Sequence, residues 1–150
     1  PSLPRRTFDL KTRATLPIRM DIFNYRQYLD YRLIRLHGLL QSFEREQYDM
    51  ARSAFLKYNF QARIGGMDGI FVAYHNTATL FGFQYLAREA IDEVLYGSAA
   101  GGDVVFKSVL LLYNQLLEHV VPEDSDRVHR LTFSMTRDCS VLLLATLILL

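Results

Sequence analysis

Between residues 6 and 14 apolar and polar positions alternate, with Phe8 and Leu10 on one side and Asp9 and Lys11 on the other. A period of two predicts a strand, because successive side chains leave opposite faces. The strand should end before Leu16 and Pro17, since the residue ahead of a proline prefers extended geometry. From Asp21 the period lengthens. Ile22, Tyr25, Leu29, Leu33 and Leu36 recur at helical spacing up to Gly38, and Phe23, Gln27, Tyr31 and Ile34 form a second stripe. This pattern predicts a helix sandwiched between two layers. A further helix is expected from about Ser42, with Glu44 and Glu46 in its first turn, where they suit the dipole. Its stripe is Phe43, Gln47, Ala51, Ala54, Phe55 and Tyr58.

"IGGMDG" ends that helix, and "IFVAYHNTATLFGFQYL" reads as two strands joined by a turn around His75 to Ala78. Residues 87 to 96 form a short helix closed by Gly97, and "GSAAGGD" makes a joint. The stretch 104 to 120 is apolar nearly all round and is expected to be a buried helix. "PEDSD" reads as an acidic loop, 127 to 134 as a strand, and the apolar end "SVLLLATLILL" as a buried strand too short to span a membrane. The order β, α, α, β, β, α, α, β predicts an α/β fold, a mixed β-sheet flanked by helices.

Composition narrows the class. Half of the 150 residues are apolar and 13% are aromatic, which excludes a disordered chain and allows one domain with a sizeable core. Residues 1 to 63 hold twelve Lys/Arg against six Asp/Glu, whereas residues 64 to 150 hold five against ten. Ten of those twelve cations are arginines, which pair bidentately with carboxylate or phosphate. The basic half therefore fits a polyanion face, and equally a dipolar soluble domain. Cys139 is the single cysteine, which excludes an internal disulfide and a thiolate zinc site. The chain opens on Pro1 and is read as part of a longer protein, with any targeting segment upstream.

The candidate chemistry centres on Asp9-x-Lys11, a carboxylate and an ammonium on one strand face. "QYLDY" then supplies Gln27 and Tyr31 at i and i+4, one turn apart on the expected helix. Taken plainly, these are a solvated ion pair and two packing residues. A strand with Asp-x-Lys followed by a helix with Gln-x-x-x-Tyr resembles the PD-(D/E)XK nuclease superfamily, on its RecB and lambda-exonuclease side. That resemblance implies a nuclease-like core, with Asp9 as metal ligand for Mg²⁺ or Mn²⁺ and Lys11 orienting the attacking water. Gln27 and Tyr31 would complete the catalytic set, and Arg6, Arg13 and Arg26 would contact nucleic acid.

The stretches "RSAFLKYNFQARIGGMDGIFVAYHNTATLFGFQYL", "IDEVLYG" and "FDLKTRATLPIRMD" resemble the fungal mitochondrial PET-type RNA-processing and stability family. This likeness covers roughly residues 6 to 97, and its implications are broader. They include mitochondrial location at the membrane, single-stranded RNA as partner alongside the transcription machinery, and 5′-to-3′ exonuclease action. Residues 1 to 137 would be part of the nuclease-like domain, and 138 to 150 an apolar tail that departs from the family. The superfamily's other acidic ligands lie before Asp-x-Lys, and no acid precedes Asp9 here. The 150 residues alone are therefore expected to be inactive. The rival expectation is a non-catalytic RNA-binding or scaffolding factor on the same fold.

Overall fold

A computed structural model describes residues 7–120, 128–135 and 141–148. The chain divides into two compact units, Pro1–Val105 and Phe106–Leu150.

The first unit is built on a three-stranded sheet. β1 (Phe8–Ala14) lies at one edge, β2 (Gly69–His75) in the centre and β3 (Leu80–Ala87) at the other edge. β1 runs parallel to β2 with Lys11 opposite Val72, and β3 runs antiparallel with Gln84 opposite Val72. One sheet face thus carries Asp9, Lys11, Arg13, Ile70, Val72, Tyr74, Gln84 and Leu86. α2 (Phe43–Ser53), α3 (Phe55–Ile64) and α4 (Arg88–Tyr96) cover it. Met50, Phe55 and Ile91 from these helices bury against Ile70, Val72, Tyr74 and Leu86 to form the core. Gly69 allows a close approach within the sheet, since a side chain there would strike the Leu86 carbonyl and the Tyr85 ring.

The opposite face is aromatic and open among the described residues. Phe71 is half-buried among Phe8, Phe83 and Tyr85, with ring centroids 5.6, 6.2 and 6.3 Å away, while Phe8 and Phe83 themselves are exposed. Phe81, by contrast, lies partly buried against the core.

The expected β1 and α4 form as read, with Gly97 closing α4 at φ +75°, a left-handed conformation that glycine adopts cheaply. The Ser42 reading also holds: its side chain accepts a hydrogen bond from Arg45 N at 3.1 Å and caps α2. Ser42→Ala should cost about 1 kcal/mol, read as a lower urea midpoint with an unchanged slope.

The helix expected from Asp21 to Gly38 does not form. α1 (Leu16–Met20), with Pro17 in its first turn, is followed by a 3₁₀ helix over Ile22–Tyr28, and residues 29–42 are irregular. Tertiary bonds override the periodicity. The buried Asn76 amide donates to the carbonyls of Leu29 and Tyr31, which removes both from a helical ladder. Gln41 N donates to the Tyr31 hydroxyl at 2.7 Å, and Gln41 O accepts from Ile34 N and Arg35 N.

α5 (Gly101–Val120) begins in the first unit and continues into the second. It was expected to be buried, yet every residue from Lys107 to Gln115 is exposed. A helix that is apolar on all sides needs cover on all sides, and the described residues supply none along that stretch. In the second unit β4 (Val128–Met135) and β5 (Val141–Ile148) form an antiparallel pair, Met135 opposite Val141. The strand reading of 127 to 134 is thus borne out, and most of the apolar end is a strand as well. "PEDSD" and Cys139 lie outside the described residues.

Candidate active site

β1 aims Asp9, Lys11 and Arg13 at the helical layer, because residues two apart share a face. α3 meets them with Tyr58 and Gln61, three apart and therefore on one helical side. The Lys11 ammonium pairs with Asp9 Oδ2 and donates to Gln61 Oε1 at 2.9 Å, and it stands 5.4 Å from the centre of the Tyr58 ring. Both charged side chains are shielded, at 17% exposure for Asp9 and 19% for Lys11. Asp9 Oδ2 is buried and accepts no well-formed hydrogen bond beyond this ion pair. Shielding strengthens the pair's field, because attraction between charges grows as water is removed.

The structure therefore unites Asp9 and Lys11 as the sequence implies, but it supplies a different pair of helpers. Gln27 is exposed in the 3₁₀ helix, and Tyr31 sits in the irregular segment with its hydroxyl taken by Gln41 N. Neither contacts Asp9 or Lys11 among the described residues. Tyr58 and Gln61 take that place. A signal for them existed in "KYNFQ", since Tyr58 already belonged to the helical stripe and Gln61 follows it by three.

The arginines divide. Arg6 lies outside the described residues, and Arg26 is exposed. Arg13 is buried, its Nε 3.7 Å from Glu46, so it serves the interior and is out of reach of a polyanion. Burial, and then Arg19 nearby, lower its pKa, with Glu46 opposing. Glu46 is itself buried and accepts from Leu16 N at 2.6 Å and from Arg19 at 2.7 Å, joining β1, α1 and α2. Tyr74, beneath this cluster, has its phenol pushed well up by burial and by Glu46, so it remains a proton donor. Asp68 and His75 are engaged in local turn contacts. Asp68 accepts from Thr7 N at 3.2 Å and from its hydroxyl at 2.7 Å, and His75 Nδ1 accepts from Thr77 N at 3.1 Å.

For a divalent metal the fit is incomplete. Asp9 Oδ2 is a hard oxygen of the kind Mg²⁺ takes, but it is already paired with the Lys11 ammonium. The described residues contain no group of three or more His, Cys, Asp or Glu placed to hold an ion. Lys11 already neutralises the one carboxylate present. These residues by themselves do not make a metal site.

Fold and site together define a mixed α/β domain bearing a shielded Asp–Lys pair on its edge strand, met by Gln61 of α3. The model of the family described as "Mitochondrial protein Pet127" matches residues 1–118, and the chain belongs to that family. A relative from Schizosaccharomyces pombe, "mRNA degradation protein pet127, mitochondrial", is 43% identical over 131 residues, covering 87% of this chain and 25% of its own. A relative from Saccharomyces cerevisiae, "Putative mitochondrial translation system component PET127", is 41% identical over 133 residues, covering 86% of this chain and 16% of its own. The chain thus spans a quarter or less of these curated relatives. No solved structure matches it.

Proposed function

We propose that the protein is a mitochondrial RNA-processing and stability factor that degrades RNA by phosphodiester hydrolysis, acting 5′ to 3′ on single strands from a nuclease-like core. The observation that carries this reading is the Lys11 ammonium, held between Asp9 and Gln61 on a strand face. Phosphodiester cleavage loads negative charge onto phosphoryl oxygens, and a fixed, shielded cation stabilises that charge. Gln61 keeps the ammonium in place as a positioning residue. Asp9 offers one oxygen toward Mg²⁺ or Mn²⁺, and a productive metal centre takes ligands beyond these residues. The name of the fission-yeast relative supports RNA as the substrate.

The test uses the full-length protein and single-stranded RNA labelled at either end, with Mg²⁺, Mn²⁺ or EDTA. Mononucleotide released first from the 5′-labelled strand, and only with metal, is the expected result. The lone carboxylate beside Lys11 favours a second reading, a non-catalytic RNA-binding scaffold. RNA bound tightly but left intact under every condition would establish it.

Among the described residues no single helix is long and apolar enough to cross a membrane. Membrane association therefore stands on the family resemblance, and extraction of mitochondrial membranes with alkaline carbonate tests it.

A further inference from the structure

The irregular stretch ahead of α2 carries a bulky apolar surface that the core does not use. Ile34, Leu36, Leu39 and Leu40 are between 65 and 81% exposed. One exposed leucine needs no explanation, but four aliphatic side chains on one short loop form a patch.

The loop is built to hold them there. Gln41 O accepts from Ile34 N at 3.0 Å and from Arg35 N at 3.3 Å, which closes its neck. Phe43 N donates to Arg35 O at 3.2 Å and Glu44 N to Leu36 O at 3.0 Å, tying the loop to the start of α2. At the tip, Gly38 N donates to Glu44 Oε2 at 2.7 Å, and the Ser42 hydroxyl donates to Gly38 O. Two residues take positive φ to complete the turn, Gly38 at +130° and Gln41 at +53°. A non-glycine residue stays in that region only where the surrounding structure holds it. The bonds therefore fix a conformation that leaves the leucines in solvent.

The base of the patch is cationic. Arg32 and Arg35 are exposed, and neither is ion-paired among the described residues. A Cβ on Gly38 would lie 3.3 Å from Arg35 Cδ, so the aliphatic stem of Arg35 runs beside the tip. Asp30 is the one acid between residues 29 and 42. Glu44 is engaged by Gly38 N and stands 3.7 Å from His37 Nδ1. A protruding aliphatic tip with cations at its base matches a bilayer of anionic phospholipid. Leucines enter the boundary between headgroups and acyl chains, and guanidinium groups on long stems stay level with the phosphates. Backbone groups already bonded within the loop lose little by leaving water. RNA, by contrast, offers nothing to four aliphatic side chains.

We infer that the loop of residues 34–42 docks the protein on an anionic lipid surface, with Leu36, Leu39 and Leu40 in the apolar boundary and Arg32 and Arg35 on headgroup phosphates. The inference rests on the reading of membrane association and deepens it, naming the element and the lipid class that make the contact.

The experiment is flotation of full-length protein with vesicles of phosphatidylcholine, and with vesicles in which about a fifth of the lipid is phosphatidylglycerol. The parent should float with the second far more than with the first. Leu39→Ser combined with Leu40→Ser should lower the partition coefficient at least about tenfold. Leu39→Phe combined with Leu40→Phe, which keeps the tip apolar, should stay within about twofold. Arg32→Gln combined with Arg35→Gln should weaken binding to the anionic vesicles about fivefold for each cation removed. Phe83→Ser, which removes an exposed apolar side chain from the open sheet face, should float like the parent. Thermal unfolding of each variant checks that the fold is intact. If the parent and the serine variant float equally well, another element makes the contact, and the inference is overturned while membrane association stands. If the parent floats with neither vesicle yet sediments with mitochondrial membranes, a protein partner holds it and the lipid inference is overturned. If it does neither, the reading of membrane association fails and the inference falls with it.

Discussion

Lys11→Ala in the full-length protein should lower RNA cleavage by about 10²- to 10³-fold while leaving RNA binding within a few-fold of the parent. The magnitude is that of removing one fixed donor aimed at developing negative charge in a shielded site. The asymmetry between cleavage and binding follows from where the charge sits. Lys11 is mostly buried and paired with Asp9, so it adds little to the attraction of distant phosphates. It matters only when charge develops within reach. Asp9→Asn should cost at least as much, because it leaves the ammonium beside a neutral amide without its counter-charge. Gln61→Ala should act differently. It removes the 2.9 Å bond that fixes the ammonium but not the charge itself, so a loss of about tenfold is expected, confined to turnover. Single-turnover cleavage with saturating protein separates the three variants. Equal rates for parent and Lys11→Ala would reduce Asp9 and Lys11 to an ion pair on a strand, worth under about 1 kcal/mol.

The half of this site that lies on one strand was legible in the sequence, and the half that depends on distant chain was not. Asp9 and Lys11 share a face by strand geometry alone. Gln61 is fifty residues from Lys11 and reaches it only because β1 takes its register from β2 while α3 packs over both. Local spacing pointed to Gln27 and Tyr31, because nothing near them shows that their helix fails. Its failure is decided by Asn76, 47 residues beyond Leu29, whose amide competes for backbone carbonyls. The elements that did form as read carry their own punctuation. Alternation marks β1, Ser42 with Glu44 and Glu46 starts α2, and Gly97 ends α4. Arg13 shows the same limit from the side of charge. Its cationic character was plain, but burial against Glu46 follows from an α2 position that the strand cannot announce.

Arg63→Met should destabilise the first unit by about 3 to 5 kcal/mol, a large part of an ordinary domain's stability. Arg63 closes a polar knot between α3, α4 and the start of α5. Its Nε donates to Asn59 Oδ1 at 3.0 Å, one terminal nitrogen binds Asp92 Oδ2 at 2.5 Å, and the other binds Asp103. Asn59 Nδ2 donates to Asp92 Oδ1 at 2.7 Å, so both Asp92 oxygens are held. Burial works against the Arg63 charge, but the bonds to Asp92 and Asp103 outweigh it and its pKa is raised. Removing the guanidinium strands the Asp92 carboxylate, which is 1% exposed, with only an amide for company. The cost is that of an orphaned buried charge, and it identifies the mechanism. Arg63→Met with Asp92→Leu should recover much of the loss, since two apolar side chains replace the pair without leaving a charge behind. Asp103→Ala should cost under about 1 kcal/mol, because that carboxylate is 61% exposed. Gly102→Ala should be as harmful as Arg63→Met, because its added Cβ would overlap both the Asp92 carboxylate and the Arg63 guanidinium. Hydrogen exchange at α3 and α4 amides reads each effect locally. If the single and double variants lose equal protection, Arg63 contributes packing alone and the charge argument fails.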